Sequence, residues 1–444
     1  MKNKTILFLS ILVCNLGLSQ EKNNHFSLEE AVNHALIHNR NIKNADLNIK
    51  AAQYQKWETI ATGLPQINAK IDYSTQIESP FDFSDNQEDQ ENSMFGFFFP
   101  KQNVTPNITL SQLVFDGAYL VGLRSVKLFL EISKNAKEKT KKEIKTTVIN
   151  TYARTLLSKE NIRIMNQNVE AVQNNLNETI VIFKNGLTEE ENVEQLELTL
   201  SNLKNNLNNL RNIQEVSKGF LKLLLGIDLE EPIELTESLN DIVKKYLSLD
   251  PIKSGHAVFN NIDYMIAKNN SQSKYLLYKL EKSKKLPSIS AFLNSSYMGY
   301  ADNFSSIFTK EQEWMSSTVV GASIKIPVFT SFGGRAMTQR AKINWKMSLN
   351  NLKETENNLR LEIQKLKNEC TLAIDTYYNK QKNLKLAERI EQKNTLKYRE
   401  GISSSFELRQ AQMQLYKSQQ EYLESMIYLI DKKTALENIL NTKL

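Results

Sequence analysis

Two stretches of this chain repeat apolar residues at a spacing of three and four for far longer than a compact domain can use. Leu359, Ile363, Leu366, Cys370, Ala373, Tyr377, Lys380, Leu384 and Ala387 follow one another 4-3-4-3, with Lys380 the single polar member. Leu408, Ala411, Leu415, Ser418, Tyr422, Ser425, Leu429, Lys432, Leu436 and Ile439 continue the pattern beyond Gly401, and Val193, Leu196, Leu200, Leu203, Leu207 and Leu210 repeat it earlier. This is the period at which helices supercoil around one another. A run of about 65 residues at 1.5 Å per residue makes a helix roughly 100 Å long. The seam is narrow and holds many small or polar residues, so each helix must share its flanks with neighbours. Only 14 Gly and 8 Pro punctuate 444 residues, which leaves few places to turn.

Each long run is preceded by a short apolar segment: QLVFDG at residues 112–117 and PVFTSFGG at residues 327–334. Comparing the chain with itself shows why. The segment from Asn41 aligns without a gap to the segment from Asp263, matching Ala45 to Ala267, Leu64 to Leu286 and Pro65 to Pro287. Phe115 then matches Phe329, and FKNGL at residues 183–187 matches YREGI at residues 398–402. The chain reads as two copies of one unit: residues 20–225 and 261–444, joined by a connector at residues 226–260 with one short strand and one short helix. The first copy carries about eight extra residues between Pro65 and Phe115, which marks a loop.

Each copy opens with a shorter helix. In the first, Ser27 and Glu30 form a capping box, and the helix is expected to run until just before Pro65. The period then changes to two. Ile67, Ala69, Ile71 and Tyr73 alternate with Gln66, Asn68, Lys70, Asp72 and Ser74, giving a strand with one apolar and one polar face. Val320, Ala322, Ile324, Ile326 and Val328 alternate in the same way. Four strands are expected, at about residues 66–76, 105–116, 288–300 and 315–328. In the second and third, Leu113 and Phe292 stand on the wrong parity. Ten residues suffice to cross a bilayer at a tilt.

The N-terminus reads as a secretory signal over residues 1–19: Lys2 and Lys4, an apolar run from Ile6 to Val13, then small residues at Gly17 and Ser19. Cys14 leaves with it, and Cys370 alone makes no internal disulfide. No later stretch is long and apolar enough for a membrane helix. The formal charge of +6 is spread among interleaved acids and bases, which fits a solvated coiled-coil surface and not nucleic-acid binding. Four amphipathic strands cannot close a barrel, and open edges are not tolerated in lipid, so any barrel must be shared among subunits. Three chains give about twelve strands.

The order of these pieces resembles the TolC family of outer-membrane efflux proteins. The resemblance rests on a signal peptide, SLEEAVNHALIHNRNI, a helix ending in GLPQINAKIDYS, then LVFDG before a long helix, all repeated as KKLPSISAFLNSSY and IPVFTSFGGRAMTQRAKI. It implies a mixed α and β membrane protein: a homotrimer whose shared twelve-stranded β-barrel, four strands per subunit, sits in the outer membrane of a Gram-negative cell. The barrel is continuous with a long α-helical coiled-coil barrel crossing the periplasm. It implies a passive exit duct for efflux or type I secretion whose tip docks a periplasmic membrane-fusion adaptor and an inner-membrane pump. The second turn departs from the family pattern, with Thr330 and Ser331 in place of an acidic residue.

The resemblance also assigns roles. Gly186 and Gly401 become hairpin turns that dock the adaptor. Glu407 and Gln410 take positions of pore-facing carboxylates, Tyr398 matches a tyrosine of the closing network, and Asn192, flanked by Glu191 and Glu194, stands at the matching place of the first hairpin. Apart from the resemblance, Asp82, Asp85, Glu88, Asp89 and Glu91 read as part of the longer surface loop, and Phe95 and Phe97 to Phe99 after them are expected to anchor at the outer interface or plug the mouth. No catalytic set, phosphate loop or zinc motif occurs, and no cofactor is expected. His34 and His38 are read as a surface pair near a helix end, lacking a third ligand. The alternative function is a soluble periplasmic coiled-coil adaptor or scaffold, which explains the heptads and export but not the four one-sided strands.

Overall fold

The structure is a computed structural model that describes residues 24–78, 102–247, 258–301, 304–309 and 312–440. The expected signal, the acidic loop with Asp82, Asp85, Glu88, Asp89 and Glu91, and the Phe95 to Phe99 anchor lie outside these residues. In chain order the elements are β1 (Asn24–Phe26), α1 (Leu28–His38), α2 (Arg40–Ala61), β2 (Gln66–Thr75), β3 (Gln102–Asp116), α3 (Gly117–Lys184), α4 (Glu190–Leu225), β4 (Ile233–Leu235), α5 (Leu239–Tyr246), α6 (Ile262–Ser283), β5 (Ser288–Ala301), β6 (Trp314–Lys325), α7 (Gly333–Arg399) and α8 (Ser405–Leu440). Among the described residues the connector holds β4, α5 and a 3-10 turn at Val258–Asn260. The chain forms two compact units, and both cut across the two sequence copies.

One unit takes residues up to 46, 136–264 and 356 onward, and is helical apart from the parallel pair β1 and β4. The heptad positions form its seams: Leu359, Leu366, Cys370, Ala373, Tyr377 and Ala387 are buried on α7, and Leu408, Ala411, Leu429 and Leu436 on α8. Lys380, the polar member of the run, is partly exposed and pairs with Glu421 of α8 at 2.8 Å. Lys432 does the same with Glu369 at 2.8 Å. The largest core gathers Phe26, Ile149, Tyr152, Leu221, Ile242 and Ile430, and the Tyr152 hydroxyl donates to the Phe26 carbonyl at 2.8 Å.

The first short helix departs from expectation. Its capping box forms as read, with Ser27 accepting from the Glu30 amide, but the helix breaks at Asn39, whose ψ of 134° is extended. The physical reason is a competing pair of side-chain bonds. The buried Asn39 amide donates to the Leu224 carbonyl at 2.7 Å, and its oxygen accepts from the Asn41 amide at 2.8 Å. Asn261 makes the same pair ahead of α6, donating to the Ile439 carbonyl at 3.0 Å and accepting from the Asp263 amide at 2.8 Å. Each asparagine caps one helix and satisfies a carbonyl at the end of another. The histidine reading also changes. His34 is half-buried, with Nδ1 3.1 Å from the Leu225 carbonyl, and its ring stacks on His38.

The other unit holds residues 47–135 and 265–355. Its centre is an antiparallel sheet in the order β2-β3-β5-β6. Register puts Ile67, Leu110, Leu293 and Val320 in one row across the four strands, and Lys70, Asn107, Ser296 and Ser317 in a row on the opposite face. The apolar row lies open: Ile67 and Val320 are 72% and 78% exposed. On the polar face Asn294 donates to Asn107 and Thr109 at 2.9 and 2.8 Å.

The two parity exceptions resolve here. A bulge between Leu113 and Phe115 shifts the register, so Leu113 pairs with Ser290 on the polar side while Phe115 returns to the apolar side opposite Ile289. Phe292 stays on the polar face and covers the bare backbone of Gly321, where an added Cβ would sit 2.7 Å from the ring. The last strand is shorter than read. It ends at Lys325, so Ile326 and Val328 belong to the turn before α7. Among the described residues no helix is long and apolar enough to cross a membrane.

Candidate functional site

The sequence-predicted gate and turn residues fall at the tips of the two helical hairpins, within the helical unit. Both tips close alike. Gly186 and Gly401 have φ of 72° and 73°, the left-handed conformation that lets a chain leave a helix and reverse. The amide of Gly186 donates to Phe183, and that of Leu187 reaches back to Ile182; Gly401 donates to Tyr398 and Ile402 to Lys397. These paired bonds satisfy carbonyls that the helix end leaves open.

The re-entry into helix differs. Glu189 starts α4 without a side-chain bond. At α8, Ser404 accepts from the Glu407 amide at 3.3 Å while the Glu407 carboxylate accepts from the Ser404 amide at 3.2 Å and from the Ser403 hydroxyl at 2.5 Å. This is a second capping box, one that the sequence reading had not seen in S-S-F-E. The Ser403 bond first, and the Ser404 amide next, hold the Glu407 carboxyl below its ordinary value of 4.5, so it is ionised at neutral pH and fully exposed.

Polar side chains join the two tips. Ser405 donates to Asn192 at 2.5 Å, Arg409 donates to Gln195, and Arg399 pairs with Glu178 at 3.2 Å. The Tyr398 hydroxyl lies 3.4 Å from that of Thr179 on the first hairpin. Between them sits a cavity of about 20 Å³, room for one water, lined by Asn175, Asn192, Gln195, Tyr398, Ser405 and Arg409. Arg409 also lies over the Phe406 ring, 5.6 Å from its centroid. Farther up, Asn168 donates to Gln419 at 3.0 Å.

The structure thus brings Asn192 and Tyr398 together. Glu191, exposed, accepts from Gln195 of its own helix at 2.7 Å, and Glu194 and Gln410 are exposed on the flanks. Gln195, Ser405 and Arg409 were missed. Their signal was present as two polar stripes at helical spacing, Asn192–Gln195–Thr199 and Ser405–Arg409–Gln412, facing each other across the seam. Among the described residues no group of acids, histidines and cysteine could hold a metal ion.

Residues 267–442 match the family described as outer membrane efflux protein. The fold over nearly the whole chain is that of solved outer-membrane channels. The chain is similar to CusC, with a TM-score of 0.74, 17% identity and coverage of 94% of this chain and 92% of that one. For the Campylobacter jejuni CmeC outer membrane channel the TM-score is 0.74, with 16% identity and coverage of 96% and 90%. For the outer membrane protein VceC of Vibrio cholerae they are 0.71, 14%, 94% and 96%. No curated protein matches the sequence significantly. The family match thus lies within the second half of the chain, while the likeness of fold spans both halves.

Proposed function

We propose that the chain is an outer-membrane efflux channel of a tripartite efflux system, that three copies of it close one twelve-stranded barrel that continues as an α-helical barrel, and that the two halves of the chain descend from an internal duplication. One observation carries this reading: in a single chain the sheet ends at β2 and β6 with unpaired edges, and its apolar face is uncovered. In lipid each unsatisfied backbone group costs several kcal/mol, so the edges must meet. Pairing β6 of one copy with β2 of the next satisfies both. Two copies would give eight strands, whose interior side chains fill; three leave a water-filled lumen.

The duct is passive and takes cargo handed on by an inner-membrane pump through a periplasmic adaptor, for efflux or type I secretion. Gly186 and Gly401 shape the turns that dock the adaptor, and the cluster around Asn192 and Tyr398 is the gate. Opening requires parting the hairpins. That breaks the Ser405–Asn192 bond, worth about 0.5–1.5 kcal/mol, and the Arg409–Gln195 bond, worth about 1.5–3. Exposed Glu407, with Glu191, Glu194 and Gln410 beside it, sets the charge at the mouth.

Purified in detergent, the protein should run as a trimer of roughly 150 kDa before bound detergent, from chains of 51.1 kDa less the signal; a monomer overturns the shared barrel. In planar bilayers the same trimer should be blocked by a multivalent cation from the periplasmic side, and Glu407→Gln should weaken the block. Because the Glu407 pKa is lowered, the block should persist as pH falls through 4.5 and fade only below it. If Glu407→Gln is blocked as readily as wild type, the charge ring is not at Glu407.

A further inference from the structure

Beside the second strand-to-helix turn lies an open cavity of about 490 Å³, within the range of ligand sites. Its walls are of two kinds. Val328, Phe329 and Phe332 are 90%, 72% and 71% exposed, with the two rings packed edge to face at 5.9 Å. Lys284, Lys285 and Arg335 supply cations, and the only acid in the lining, Glu281, is taken by Lys284 at 2.7 Å. Neither Lys285 nor Arg335 has an ion-pair partner among the described residues. The wider surroundings keep this sign: from Trp314 to Lys353 the chain has no Asp or Glu, and it carries Lys325, Arg335, Arg340, Lys342, Lys346 and Lys353.

At the equivalent place in the first half a ring takes up the space. There Tyr119 lies against Gly63, where an added Cβ would come within 2.2 Å of the ring. By the sequence match the second half puts Gly333 where the first has Tyr119, and Lys285 where it has Gly63. Removing the ring opens the space, and the lysine arm crosses it: Lys285 Cε is 3.9 Å from a Cβ built on Gly334.

We propose that this cavity binds the headgroup of an anionic phospholipid of the inner leaflet, Lys285 and Arg335 taking the phosphate while Val328, Phe329 and Phe332 sit among the upper acyl chains. The placement follows from continuity with the membrane-crossing sheet. The cavity starts two residues after β6 ends at Lys325, on the side where strands pass into helices, and that side faces the periplasm. Exposed aromatics at the rim of a barrel and basic groups beside them are what an anionic interface selects. This goes beyond the duct function and rests on the proposed barrel, whose sheet crosses the outer membrane.

The test uses the full-length protein in neutral detergent, with phosphatidylglycerol and phosphatidylcholine of the same acyl chains in competition and retained lipid counted by native mass spectrometry. Wild type should prefer phosphatidylglycerol, and each of Lys285→Ala and Arg335→Ala should reduce that preference about fivefold. Lys346→Ala, outside the cavity, should leave it unchanged. Equal retention of the two lipids, or an equal loss from Lys346→Ala, overturns the site. So does inorganic phosphate competing as well as the lipid, since the apolar wall would then contribute nothing. A double variant Lys285→Ala/Arg335→Ala that lowers trimer recovery while lipid preference stays intact assigns the face to contacts between copies and also overturns the proposal.

Discussion

The two strand-to-helix turns occupy matching places in the two halves and are built in opposite ways. At the first, β3 ends at Asp116 and α3 begins at Gly117 with no residue between. Asp116 accepts from the amides of Ala118 and Tyr119 at 2.5 and 3.1 Å, Tyr119 bonds the Ile60 carbonyl at 3.2 Å, and Gln112 bonds the Gly63 carbonyl at 2.7 Å. At the second, residues 326–332 separate β6 from α7. Thr330 replaces the aspartate with one bond to Gly334 at 3.3 Å, and Ser331 and Phe332 hold φ of 48° and 61° without being glycine. The lesson is that one topology needs only one of its two corners to be tight. The other is free to keep strained, exposed and cationic residues, which is where a contact with the surroundings can be built.

The contrast can be broken most directly at its packing. Gly63→Val should force the Tyr119 ring out and cost about 1–3 kcal/mol, whereas Lys285→Ala at the matching place should stay within about 0.5 kcal/mol. Denaturant unfolding in detergent measures both, and equal losses would show that the first corner is no tighter than the second. A smaller effect is expected at the caps. Asp116→Ala removes two charge-assisted bonds and should cost about 1–2 kcal/mol, against about 0.5 for Thr330→Ala with its single long bond; a larger loss at Thr330 would reverse the assignment. The smallest change has the opposite sign. Ser331→Gly relieves a left-handed conformation that costs about 1–2 kcal/mol in an L residue, offset by about 0.4–1 from added freedom of the unfolded chain, for a net gain of about 0.5 kcal/mol. A net loss on the same unfolding curve would mean that the Ser331 side chain, not the backbone, matters at this corner.

Much of this molecule can be read before any coordinates. The 4-3 spacing from Leu359 to Ile439 names the buried seams because a helix face recurs every 3.5 residues whatever lies opposite. The alternation from Gln66 to Ser74 names the two faces of a strand for the same kind of reason. Gly186 and Gly401 mark reversals because few residues adopt positive φ without cost. These are local periodicities, carried by the chain within a few residues.

Other features depend on partners about 30 to 215 residues away, and only the tertiary structure decided them. The break at Asn39 is set by the Leu224 carbonyl together with the Asn41 amide, and only the second of these is local to the chain there. Phe292 breaks its strand's pattern because Gly321 on the neighbouring strand offers bare backbone to cover. At the tips, the family pattern pointed to Glu407, yet that carboxylate caps its own helix, and the bonds joining the hairpins run through Ser405 and Arg409 to Asn192 and Gln195. Sequence spacing could place each of these side chains on a helix face. Which polar group each would meet there depends on how two helices are set against each other, a choice made by the packing of the whole seam and not by either helix alone.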